Sequence, residues 1–354
     1  MTKRRSLAVA AAALVVCGVL ALASLASSSM LPQETSSPPP WGAIPSVPGE
    51  LHVTAAGDYS ANDAASAVLS GVGALKPDLH LALGDLSYGS KDGETAWCNF
   101  VTARVGMGFP FQLIAGNHES NGQNGHIDNF ALCLPNLLAG AVGTYAKEYY
   151  VDVPAEKPIA RFVLISPGIP FSNGPWDYSE GSERYNWTSA AIDGARAASI
   201  PWVVVGMHTP CISMGRYPCQ AGSAITNLLV DKKVDLVLNG HEHLYQRTKQ
   251  LATDSQCPEI RPNSYNPECV QDSDEQLTKG AGTVFSTVGT GGTPLRDVNR
   301  MDPEAGYFAA FSGRNSSPSH GLLKLRLTTS RLDAEFLATD GAFMDKFSIG
   351  APAQ

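Results

Sequence analysis

The sequence predicts an α/β protein. Two observations carry that expectation. From Leu51 to Asn239, short apolar runs of strand length alternate with longer amphipathic stretches bounded by Gly, Pro, Asn and Asp. Most of the apolar runs also end in Gly followed by Asp, Asn or His. The whole chain is 44% hydrophobic and 16% charged, and the part beyond Leu51 reads as a globular domain of about 300 residues.

The chain opens with Lys3, Arg4 and Arg5, then an apolar stretch over 7–26, then small residues. Residues 1–30 therefore read as a secretory signal, with Ser24-Leu25-Ala26 fitting a cleavage site, or as an uncleaved membrane anchor of sufficient length. Cys17 follows the bulky Val16 and is expected to be an ordinary residue of that apolar core. Residues 31–50, with Pro38-Pro39-Pro40, Pro45 and Pro48, read as an extended linker, and 51–350 as one globular domain. The net charge is -8, and removing the three basic residues of the leader takes it to -11. No basic stripe is present, so nucleic-acid binding is not expected, and an anionic substrate needs a local source of positive charge. Besides Cys17 there are six cysteines, an even number that suits disulfides in an exported chain. Cys98 with Cys133, Cys211 with Cys219 and Cys257 with Cys269 are the local pairings; other pairings and free thiols stay open.

In order, Leu51 to Ala56 reads as a strand ending at Gly57-Asp58, and Ala61 to Leu75 as a helix capped by Asn62 or Asp63. Lys76-Pro77-Asp78 breaks it before the buried strand Leu79 to Leu83, which ends at Gly84-Asp85-Leu86-Ser87-Tyr88. Glu94 to Val105 is helical, and Phe111 to Ala115 is a strand ending at Gly116-Asn117-His118-Glu119. A helix is expected over 127–138, strands over 146–153 and 160–165, and a helix over 183–198. Trp202 to Met207 is a strand ending at His208, 221–232 a helix, and Val234 to Asn239 a strand ending at Gly240-His241-Glu242-His243. Residues 250–281 read as a long loop, and 283–288, 321–328 and 331–338 as strands. The Gly289 to Gly292 turn lacks the Lys-Ser/Thr ending of a phosphate loop and is read as structural.

Loops at the C-terminal ends of strands in an α/β sheet gather at one edge, and sites form there. The strand ends would bring together Asp58, Asp85, Tyr88, Asn117, His208, His241 and His243. Imidazole and carboxylate together suit two first-row metal ions such as zinc, iron or manganese, with Asp85 placed to bridge them. Individually, each residue has an ordinary reading as a turn, cap or satisfied polar group; in series they point to a binuclear site. His52, His80, His126 and His320 fall outside the pattern.

The series Gly57-Asp58, Gly84-Asp85-Leu86-Ser87-Tyr88, Gly116-Asn117-His118-Glu119, Gly206-Met207-His208 and Gly240-His241-Glu242-His243 resembles the calcineurin-like metallophosphoesterases. Tyr88, three residues after the second Asp, resembles the purple acid phosphatase branch. The resemblance runs from Leu51 to Phe336. It implies a four-layer αββα sandwich of two mixed β-sheets. It also implies Fe(III) on Asp58, Asp85, Tyr88 and His243, and a divalent Zn, Fe or Mn on Asp85, Asn117, His208 and His241. His118 is then the catalytic residue, near the leaving group rather than on a metal. The implied activity is acid hydrolysis of small phosphomonoesters by a metal-bound hydroxide in a secreted or membrane-anchored enzyme. A phosphodiesterase or nucleotide hydrolase with two divalent ions is the alternative, and a non-catalytic metal-binding protein a third reading. The sequence departs from the family at Ser60, where a Gly is usual, and after His208, where Thr209 to Ser213 lack further histidines.

Overall fold

A computed structural model describes residues 41–89 and 93–351. The expected leader and the first half of the linker lie outside these residues. Among the described residues, no helix is long and apolar enough to cross a membrane.

Two large mixed sheets form the architecture, in agreement with the expected α/β class. In the first, Leu51–Ala56, Leu79–Ala82 and Phe111–Leu113 run parallel, and Gly321–Leu327, Arg331–Ala338 and Lys346–Gly350 extend the sheet antiparallel beyond Leu51–Ala56. In the second, Ala160–Ile165, Trp202–Met207, Leu236–Asn239 and Val284–Val288 form the parallel centre. Glu148–Val153 flanks this centre on one side, and Tyr245–Thr248 and Phe308–Ser312 on the other.

Period-2 side-chain alternation explains the layering. Along Trp202–Met207, Trp202 and Val204 belong to a buried cluster that also holds Val53, Ala55, Leu323 and Leu325 of the first sheet. Their neighbours Val203, Val205 and Met207 pack with Ile192, Ala195, Ile225 and Leu229 from the helices Glu183–Ala197 and Ser223–Asp231. The strand is buried on both faces, which is why it reads as a continuous apolar run. On the first sheet, the helix Asp63–Leu75 starts where Asn62 accepts the Ala65 amide at 2.9 Å, and it stops at Lys76 in a left-handed conformation. Trp41 and Ile44, from the end of the expected linker, pack against this same core.

Several expectations shift. The helix expected over 127–138 ends at Cys133. Leu134 precedes Pro135, and a residue before proline is driven out of the α region. Val142–Thr144 is an edge strand before Glu148–Val153, because Ala146 turns the chain at φ 64°. The expected loop over 250–281 contains the short strands Gln250–Leu251, Val270–Asp272 and Gln276–Thr278. Tyr245–Thr248 was hidden in the sequence by its polar residues. Arg247 is buried against Asp345 at 2.7 Å, and Gln246 bonds Ser213 and Thr287, so no apolar alternation marks this strand. The three local disulfides, Cys98–Cys133, Cys211–Cys219 and Cys257–Cys269, are present.

Candidate metal centre

The parallel strands of both sheets end at one place, and loop-to-loop hydrogen bonds zip their ends together. The amides of Asp58, Tyr59 and Ser60 donate to the carbonyls of Gly84, Asp85 and Leu86, and the Gly240 amide donates to the His208 carbonyl. Glycine is required here by close approach. Gly84 has φ 82°, and a Cβ on it would lie 2.7 Å from the Gly116 nitrogen and from His208 Nδ1. A Cβ on Gly116 would lie 2.2 Å from Asp85 Oδ1. Asp58, Asp85, Tyr88 and His241 all hold positive φ, at 63°, 52°, 50° and 70°. Such a conformation costs roughly 1 kcal/mol or more per residue, and its concentration on these four marks a functional site.

All seven expected ligand residues converge. Asp58, Asp85 and His243 offer atoms within 4.8 Å of one another, as do Asp85, His208 and His241. Tyr88 Oη lies 2.9 Å from each of Asp58 Oδ1, Asp85 Oδ2 and His243 Nε2. His208 Nε2 lies 3.2 Å from Asp85 Oδ1, 3.3 Å from Asn117 Oδ1 and 3.2 Å from His241 Nδ1. Asp85 thus gives one carboxylate oxygen to each group.

The donor set fits cations. A metal about 2.1 Å from each of two ligands at right angles holds them about 3 Å apart. The donors here stand 2.9 to 3.4 Å apart. The hydrogens that could relieve the crowding are directed elsewhere. His208 Nδ1 sits 2.7 Å from the Leu83 carbonyl and His243 Nδ1 3.2 Å from the Pro294 carbonyl, which directs both Nε2 atoms inward. One phenolic hydrogen on Tyr88 then faces three acceptors, and His241 Nε2 is buried without a partner. Cations satisfy these lone pairs together; a single proton cannot.

The charges tell the same story. Burial pushes the Asp58 carboxyl up to about 7, with His208 opposing and Asp85 adding to the shift. Burial alone would lower His208, but Asp85 outweighs it and lifts the ring to about 10. Asp85 is held well below the usual carboxylate range: burial raises it, and His208 and His118 more than offset that. Burial drives His241 down to about 3 and, together with Arg296, His243 down to about 4, so both rings are neutral donors.

His118 stands apart from this set. Its Nδ1 is 2.5 Å from Asn124 Oδ1, its Nε2 is 3.8 Å from Asp85 Oδ2, and its ring packs against Tyr88 with centroids 4.2 Å apart. Its side chain is 28% exposed, the opening a substrate needs.

A model of the calcineurin-like phosphoesterase family matches residues 49–245, more than half of the chain. The chain belongs to the calcineurin-like phosphoesterase family. Purple acid phosphatases are among the relatives it matches. Purple acid phosphatase 21 of Arabidopsis thaliana is 26% identical over 285 residues, covering 78% of this chain and 57% of the relative. The Fe(3+)-Zn(2+) purple acid phosphatase 12 of the same plant is 26% identical over 269 residues, covering 70% and 51%. A purple acid phosphatase from yellow lupin (Lupinus luteus) seeds shares the fold, with TM-score 0.61 at 17% identity over 88% of this chain and 55% of that one. The chain spans about half the length of the curated relatives it matches.

Several residues around the centre were not assigned roles from the sequence. Glu119 ends the Gly116-Asn117-His118-Glu119 motif, and its spacing alone gives it no role. Its buried carboxylate accepts the amides of Gly116 and Asp85 through Oε1 at 2.7 and 2.9 Å, and that of Leu86 through Oε2 at 3.1 Å. It ties two family loops together. Burial raises it to about 8, the Asp85 charge adds to this, and the amide donors oppose it. Asn124, Tyr217, Arg216 and Arg296 also surround the centre, and no motif spacing marks them. Histidines outside the pattern are otherwise engaged: His80 is buried between Thr54 Oγ1 at 2.8 Å and Tyr59 Oη at 2.6 Å, and His320 pairs with Asp340.

Proposed function

We propose that the protein is an exported, binuclear acid phosphatase of the purple acid phosphatase type, acting on small phosphomonoesters. Residues 1–30 act as signal or anchor, 31–50 as linker and 51–350 as the catalytic domain. The carrying observation is the placement of Tyr88 Oη at 2.9 Å from Asp58, Asp85 and His243, as a third anionic oxygen for one of the two ions. Asp58, Asp85, Tyr88 and His243 are assigned to Fe(III), and Asp85, Asn117, His208 and His241 to a divalent Zn, Fe or Mn. Three disulfides support an oxidising compartment.

The two cations supply Lewis acidity toward the phosphoryl oxygens and an activated water. The protein supplies the rest. Asp58, Asp85 and a tyrosinate at Tyr88 carry three negative charges, leaving the centre positive toward a phosphate. Asp85 holds the two halves in one frame, since its backbone and that of Gly116 are bound by Glu119. His118, held through Nδ1 by Asn124, keeps Nε2 on the open side, where it can give a proton to the departing alkoxide.

The test is metal analysis and a visible spectrum of the purified protein, with monoester and bis-ester assays across pH. Two metals per chain, a ferric–tyrosinate band and faster monoester turnover in mild acid are expected. A fully metallated, oxidised protein without the band, or one that prefers the diester, would overturn the assignment in favour of two divalent ions or a phosphodiesterase.

A further inference from the structure

A cavity of about 530 Å³ opens beside the centre and shares His243 with it. Three guanidiniums line it, from Arg216, Arg296 and Arg314, against one carboxylate, Asp297. Arg314 takes up that carboxylate, with Nε at 2.9 Å from Oδ1 and a second bond at 2.5 Å. Among the described residues, no carboxylate lies within ion-pair distance of Arg216 or Arg296. The buried Glu242 carboxylate acts on both from a distance, but in a chain of net charge -8 two arginines without an ion pair at the edge of the site favour an anionic partner.

Both arginines stand on a wall tied to the centre. Tyr217 stacks on the His241 ring with centroids 4.4 Å apart, and the guanidiniums of Arg296 and Arg216 lie 5.0 and 5.6 Å from the Tyr217 ring. Arg296 donates its amide to the His243 carbonyl at 2.8 Å and a guanidinium hydrogen to the His241 carbonyl at 3.4 Å. The segment carrying Arg216 and Tyr217 is closed by Cys211–Cys219, and the Tyr217 amide is bound by the buried Glu242 at 2.5 Å. The Arg296 guanidinium is thus held in place before any substrate arrives, which limits the entropy lost on binding, and the backbone that carries the exposed Arg216 is fixed beside it.

We propose that Arg216 and Arg296 form a leaving-group subsite that selects substrates whose leaving group carries a second phosphoryl group, of which a diphosphate is the simplest. This rests on the phosphatase reading above. Water adds across the terminal P–O bond. Its oxygen joins the terminal phosphorus, and the bridging oxygen departs with the bonding pair on the second phosphoryl group. One proton of the water passes to solvent or to that oxygen. Negative charge grows on the departing group, where the arginines stabilise it more in the transition state than in the ground state.

The test compares kcat/KM for inorganic pyrophosphate, ADP and p-nitrophenyl phosphate in the metal-loaded protein, its Arg216→Gln variant and the Arg216→Gln/Arg296→Gln double variant. Calorimetric binding of methylenediphosphonate and methylphosphonate to each protein accompanies it. The diphosphates are expected to be preferred over p-nitrophenyl phosphate, with that preference falling at least threefold in the single variant and tenfold in the double. Methylenediphosphonate should bind at least tenfold tighter than methylphosphonate, an advantage the double variant loses. A larger preference for pyrophosphate than for ADP identifies an inorganic leaving group, and the reverse a nucleotide; either supports the subsite. Selectivity and diphosphonate affinity unchanged within twofold in both variants would overturn it. If the metallated protein hydrolyses none of the three substrates, the phosphatase reading fails, and the diphosphonate binding still decides whether the anion subsite exists. Arg216 is exposed, so its variant tests the proposal even if the double variant folds poorly.

Discussion

Tyr88 Oη and His243 Nε2 stand 2.9 Å apart although 155 positions separate them in the chain. One belongs to the loop after a strand of the first sheet, the other to the reversal after a strand of the second. Each loop is shaped by residues with positive φ, Tyr88 itself at 50° and His241 at 70°. The pair therefore reports on how the two sheets dock.

Tyr88→Phe removes the only phenolic oxygen from the proposed ferric group. We expect loss of the visible band, a fall of about one metal per chain by elemental analysis, and at least tenfold lower kcat with p-nitrophenyl phosphate. Unchanged colour would exclude Tyr88 as a ligand.

Asn124 orients His118 through the 2.5 Å contact to Nδ1. In Asn124→Ala the ring is free to turn, and general-acid catalysis is worth about 10²–10⁴-fold where it operates. We expect kcat to drop by about tenfold or more with metal content and KM little changed, and the acid-to-neutral pH profile to shift. A wild-type profile would make Asn124 merely structural.

Ser60 holds φ 74° at the position where the family usually has Gly. Its backbone bonds, to the Leu86 carbonyl at 2.9 Å and from the Trp97 indole at 3.2 Å, do not depend on its side chain. Ser60→Gly relieves the strain at a smaller cost in unfolded-chain entropy, so stability should rise by about 0.5–1 kcal/mol. A urea midpoint at or below that of the parent would contradict this.

Burial holds the His80 ring at about 3, far below its ordinary 6.5. A lowered imidazole is neutral when folded and protonates when unfolded. Its contribution is complete above pH 6.5 and is lost as pH falls from 6.5 toward 3. Over that window it weakens the fold by about 1.4 kcal/mol per pH unit. Chemical denaturation of wild type and His80→Gln between pH 7 and 4.5 should show a shallower decline in the variant; parallel curves would refute the assignment.

The α/β class and the seven converging residues were legible in the sequence, because each depends on a local pattern, whereas the disulfide pairing was open there and is given by the structure. Apolar runs buried on both faces are continuous, and the glycines that precede the ligands are needed by the backbone itself. Tyr245–Thr248 was not legible, because Arg247 and Gln246 are buried by partners about 100 and 40 positions away. The end of the helix at Cys133 was readable from Pro135.

By itself, then, the sequence determined which residues could hold metal, since side-chain chemistry and strand-end position are local properties. Only the tertiary structure decided their grouping. Asp85 turns one oxygen to Tyr88 and the other to His208 because Gly84 and Gly116 let two loops approach where no Cβ fits. It also placed Arg216 and Arg296 beside the same tyrosine, 80 residues apart in the chain, with Asp297 bound by Arg314 and Glu242 turned to the Tyr217 amide. Unpaired charge is a property of what surrounds a side chain, and no spacing in a sequence records it.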